Sequence, residues 1–76
     1  MSRLTPIPFS KIIRVLEKEG FVLARQRGAH MIFTKPGILR PVVVPRYDPL
    51  PIFIIKNILR TARISRDRYF ELLIKT

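Results

Sequence analysis

Residues 20–46, GFVLARQRGAHMIFTKPGILRPVVVPR, decide the fold. Three β-like runs follow one another here, each set off by turn residues. Phe21–Arg27 reads as a first strand, Gly28-Ala29 as a two-residue connection and His30–Lys35 as a second strand, the pattern of a hairpin. Pro36-Gly37 signals a further turn. The valine-rich run Arg40–Val44 follows as a third strand, framed by Pro41 and Pro45. Proline has no N–H to give a central ladder, so this strand belongs at an edge, or its prolines face away from pairing. Three short strands in succession favour an antiparallel meander.

Working outward, Phe9, Ile12, Ile13 and Leu16 recur at helical spacing and predict a helix over Pro8–Glu19. Pro8 suits the first turn, where its missing N–H has no partner anyway. Gly20 stands where a left-handed cap ends such a helix. Beyond the strands, Arg46–Pro51 is a loop. Ile52–Ala62 then carries Ile55, Ile58, Leu59 and Ala62 as an apolar helical stripe. Ser65 caps a short third helix from Arg66 towards Ile74, which buries Tyr69, Leu72 and Leu73 together with Phe70. The expected fold is α+β: an α-β-β-β-α order with a three-stranded antiparallel sheet and an additional short C-terminal helix. Helices on one face of the sheet would bury these stripes and leave the other face open for binding.

A chain of 76 residues allows one small domain, residues 1–76, and is too short for barrel or dinucleotide folds. Its 47% hydrophobic content excludes intrinsic disorder. There is no cysteine, hence no disulfide framework and no thiolate nucleophile. The N-terminal segment does not read as a secretory signal, and the longest apolar stretch, Leu50–Ile55, is too short to span a bilayer. These features lead us to expect a soluble cytoplasmic protein that does not span a membrane.

Charge gives the first statement about function. Fifteen Lys and Arg against five Asp and Glu leave a formal net charge of +10, a field that favours polyanions. RNA, DNA, an anionic membrane and an acidic protein all answer that description, with nucleic acid first. The catalytic inventory is short. No cluster has metal-ligand spacing and no P-loop motif occurs, so neither metal nor cofactor is expected. His30 is the one ordinary acid–base group for neutral pH. It follows Arg25, Gln26, Arg27 and the Gly28-Ala29 turn, with Lys35, Arg40 and Arg46 on adjoining strands and loops. If RNA lay there, neutral His30 could take the proton from a ribose 2′-OH while arginine or lysine held the phosphate oxygens. The plainer alternatives are a partly buried strand histidine on a solvated basic sheet face, and a Tyr47 packed locally rather than stacked on a base.

Taken in order, Gly20-Phe21 after a helix, Arg27-Gly28-Ala29-His30-Met31-Ile32-Phe33, Val42-Val43-Val44-Pro45-Arg46 and Ile55-Lys56-Asn57-Ile58-Leu59-Arg60 resemble the HicA (YcfA-like) toxin family. The resemblance covers nearly the whole chain. It implies a double-stranded-RNA-binding-domain-like fold, an mRNA interferase that cleaves without metal or ribosome, and a HicB-like antitoxin as partner. It places the family's catalytic histidine at His30 and its motif glycine at Gly28. Arg25, Arg27, Lys35, Arg40, Arg46 and Tyr47 then stand as RNA-binding candidates. Two positions depart from the family pattern: Ala29 replaces a serine, and Tyr47 stands where many relatives carry histidine. Both bear on activity more than on fold. A non-catalytic RNA-binding module of the same fold is the alternative, and a ribosomal or other structural nucleic-acid protein is a third.

Phe53 and Ile54 exceed what one buried face of the second helix covers. They are buried on two sides of it, or they form an apolar patch for the antitoxin or a second copy. An acidic antitoxin could meanwhile cover the arginine-rich face and mask His30. Free of it, the chain is expected as a monomer or weak homodimer.

Overall fold

The computed structural model describes residues 3–75. Its elements run α1 (Phe9–Lys18), β1 (Val22–Arg27), β2 (His30–Thr34), β3 (Val42–Pro45), α2 (Ile52–Ala62) and α3 (Arg66–Ile74). The sheet is antiparallel with the order β1-β2-β3, so β3 is an edge strand.

Backbone chemistry sets the limits of each element. Pro8 precedes α1 as its cap rather than entering the first turn. At the other end, Gly20 takes φ 99°, its N–H bonds the Glu17 carbonyl, and the Phe21 N–H bonds the Leu16 carbonyl. This is a Schellman closure, with the apolar pair Phe21 and Leu16 buried across it. Phe21 thereby gives its N–H to the helix and its ring to the core, so β1 starts at Val22 rather than at Phe21. Helix α2 closes the same way, with Arg63 at φ 59° in the glycine's place and the Ile64 N–H on the Leu59 carbonyl.

Strand β2 ends at Thr34 because Lys35 opens a turn, its carbonyl accepting the Ile38 N–H around Pro36 and Gly37, the latter at φ 87°. Proline then glycine is the sequence of a type II turn. Strand β3 spans Val42–Pro45 rather than Arg40–Val44, because Pro45 pairs with His30 and Val42 with Phe33, which leaves Arg40 and Pro41 before the ladder. An outer strand tolerates that proline.

One contiguous core joins these pieces. Ile12, Val15 and Leu16 of α1, Ile55, Ile58, Leu59 and Ala62 of α2, and Tyr69 and Leu72 of α3 meet Phe33, Val42 and Val44 of the sheet. Val15 extends the stripe expected on α1, while Phe9, Ile13, Phe70 and Leu73 are only half-buried at its margin. Full burial of such side chains contributes about 1.5–3 kcal/mol each. Arg68 ties α3 to the end of α1: its Nε and Nη2 donate to Glu19 Oε1 at 3.0 and 2.9 Å, and its Nη1 to Glu71 Oε1 at 2.8 Å. The helical layer stops short of β1, whose residues are all exposed.

Candidate functional site

A bulge in β1 sets the chemistry of the open face. Val22 pairs with Thr34 and Leu23 with Phe33, but the next pair is Arg25 with Ile32, leaving Ala24 as an extra residue. Side chains alternate along a strand, so strict alternation from Leu23 would turn Arg25 and Arg27 towards the helices. The extra residue reverses them. Arg25 and Arg27 therefore share the open face with their partners Ile32 and His30.

His30 is exposed at the start of β2, between Arg27 on one side and Pro45 on the other. The hairpin that presents it turns on two residues. Of these only Gly28 takes positive φ, 57°, the arrangement of a type II′ turn. A Cβ built on Gly28 would meet no atom within 4 Å, so a phosphate can approach this backbone freely. The Arg46 N–H donates to the Ala29 carbonyl at 2.8 Å and stitches the turn to the end of β3. The Arg46 guanidinium lies 5.4 Å from the centroid of the Phe9 ring.

Beside His30 a cavity of about 360 Å³ opens between β3 and α2. Its walls are apolar where Pro41, Val43, Pro45, Ile54 and Ile58 meet, and polar at His30, Tyr47, Asn57 and Thr61. Tyr47 is half exposed. The structure thus gathers His30, Arg25, Arg27, Gly28, Arg46 and Tyr47 around one end of the sheet. Lys35 and Arg40 lie at the other end, roughly 15 Å away at about 3.3 Å per residue along a strand. There the Lys35 ammonium sits 5.6 Å from the centroid of the Phe21 ring, and Arg40 lines a second cavity of about 260 Å³ with Arg60, Thr61 and Arg63.

Asn57 and Thr61 are not among the candidates that composition and motif spacing offer. With Ile54 and Ile58 they form an i, i+3, i+4, i+7 set, a second stripe on α2 beside the buried one, and that spacing was the available signal. Phe53 and Ile54 part company: Phe53 is 65% exposed, whereas Ile54 is half-buried against the core and lines the cavity.

Among the described residues no group of histidine, cysteine or carboxylate side chains is placed to hold a metal ion, and no helix is long and apolar enough to cross a membrane. None of the curated proteins compared with the chain matches it. A family model described as the HicA toxin of bacterial toxin–antitoxin systems matches residues 9–64. That span takes in α1, the whole sheet, the His30 turn and α2, so the chain belongs to the HicA toxin family.

Proposed function

We propose that this toxin is an mRNA endoribonuclease that needs no metal and uses His30 for proton transfer. One observation carries the reading: an exposed imidazole shares the open sheet face with Arg25 and Arg27, at the mouth of a cavity of about 360 Å³. Neutral His30 takes the proton of a ribose 2′-OH, and O2′ attacks the adjacent phosphorus. The O2′–P bond forms and the P–O5′ bond breaks, giving a 2′,3′-cyclic phosphate and a 5′-hydroxyl whose proton comes from water. Arg25 and Arg27 hold the non-bridging oxygens and offset the charge that builds on them, while the Arg46 guanidinium, over the Phe9 ring of α1, adds to the positive field from the end of the sheet. Gly28 lets the backbone approach, and Tyr47 offers a ring for stacking a base.

The chain would act as a single domain in the cytoplasm, where mRNA is found. A HicB-like antitoxin would neutralise it by covering the cationic face and the exposed Phe53. The test is incubation with a long single-stranded RNA in the presence of a chelator. Wild-type protein should leave cyclic-phosphate ends, and His30→Ala should abolish cleavage and growth arrest while retaining salt-sensitive binding. Undiminished cleavage by that variant removes His30 from the mechanism. A second reading, an RNA-binding module without activity, is favoured by Ala29 and Tyr47 and would appear as binding without cleavage by the wild type.

A further inference from the structure

We propose that the groove between β3 and α2 is a track for single-stranded RNA, with a nucleobase seated against Asn57 and Thr61 and a more distant phosphate held by Arg40, Arg60 and Arg63. The inference rests on the RNA-binding part of the function proposed above and not on its cleavage step. Two cavities lie along this groove and Thr61 lines both, so they adjoin. The first begins at His30 and Tyr47, where β3 ends, and the second lies at Arg40, before β3 begins. Helix α2 spans the same distance: Ile54 to Arg63 is about 13 Å at 1.5 Å per residue.

The linings differ as a base and a phosphate differ. At about 360 Å³ the first cavity is near the lower limit for small-molecule sites, with apolar walls for a flat ring. Its polar groups, the Asn57 carboxamide and the Thr61 hydroxyl, hydrogen-bond to no other described side chain and are left for the edge of a base. The second cavity gathers three arginines and no carboxylate, with Thr61, Ile38 and Leu39 completing its lining. All three are exposed, and the ion pairs among the described residues involve only Arg68 with Glu19 and Glu71. Guanidinium groups that no protein acid neutralises form a site for phosphate oxygens. A base can enter the first cavity only after leaving its stack, which selects single strands over duplex.

The test uses fluorescent 2′-O-methyl decamers, whose blocked 2′ oxygen prevents cleavage, in a set differing at one central base. Arg60→Gln and Arg63→Gly should each weaken single-strand binding about five- to tenfold. Each should also lower the slope of log affinity against log salt by about 0.7. Asn57→Ala should level the affinities across the four central bases. Arg63→Gly removes a charge where glycine suits the backbone, so a thermal melt separates lost binding from lost folding. Wild-type affinity in both arginine variants, or an unchanged base ranking in Asn57→Ala, overturns the track. If the wild type fails to cut ordinary RNA while these variants lose binding, the nuclease fails and the track stands. If His30-dependent cleavage persists while the variants bind like wild type, the reverse holds.

Discussion

Arg63 allows a backbone effect to be measured almost free of contacts. The residue sits at φ 59°, ψ 40°, in the left-handed region, and its side chain is exposed. An L-residue with a Cβ pays roughly 1–2 kcal/mol there, because Cβ crowds the following carbonyl. Glycine avoids that cost but gives back roughly 0.5–1 kcal/mol through the greater freedom of its unfolded chain. Arg63→Gly should therefore stabilise the protein by about 0.5–1 kcal/mol. A domain of this size melts about 4–8 °C higher per kcal/mol, so the expected rise in Tm is roughly 2–8 °C. The assay is a far-ultraviolet circular dichroism melt at fixed salt, with Arg63→Ala as control. Alanine removes the same charge and keeps the crowded Cβ, so any relief of charge repulsion is common to both variants and Arg63→Ala should melt below Arg63→Gly. Gly20→Ala should move the other way, since Gly20 has φ 99°, where any Cβ strains the backbone whatever space surrounds it. A Tm for Arg63→Gly no higher than that of Arg63→Ala would refute the reasoning.

Phe33 is fully buried in the central strand. Phe33→Ala should cost about 3–5 kcal/mol, most of the stability of a small domain, and be read as loss of a cooperative melt. The hydrogen bond from Arg68, and its charge, hold the Glu71 carboxyl below the usual carboxylate range. A depressed folded pKa stabilises above the unfolded value and loses that contribution as pH falls through the folded one. Glu71→Gln should thus lower Tm slightly at neutral pH, with the gap closing below about pH 4 and in high salt. Phe53→Ser should leave stability within about 0.5 kcal/mol of wild type, since the ring is 65% exposed, yet weaken binding of a co-purified antitoxin. A large fall in Tm instead would mean that Phe53 supports the fold.

Much of this architecture can be read from local chemistry. The limits of α2 and α3 follow from Ser65 and the apolar stripes, and the hairpin follows from Gly28. Strand ends are less legible where one backbone group has two uses. Phe21 has the composition of a strand residue, but its N–H closes α1, and Lys35 is drawn into a turn. The candidate site is legible only in part. His30 and its arginines stand together in the sequence, yet the face that Arg25 and Arg27 occupy depends on the unpaired Ala24, which no alternation pattern predicts. Asn57 and Thr61 are ordinary polar residues on a helix until β3 is laid beside them. Lys35 and Arg40 look like neighbours of His30 by count, but β2 carries them to the far end of the sheet.

The unpaired Ala24 has a consequence for how this chain can change length. The partners on either side of it, Phe33 and Ile32, are already consecutive. Excising Ala24 would let Leu23 and Arg25 close up against them without turning any other side chain over. Elsewhere in a strand, losing one residue exchanges inside for outside over everything beyond it. Here the chain keeps a residue of slack next to its cationic surface, and a lineage could drop it or regain it without scrambling that surface.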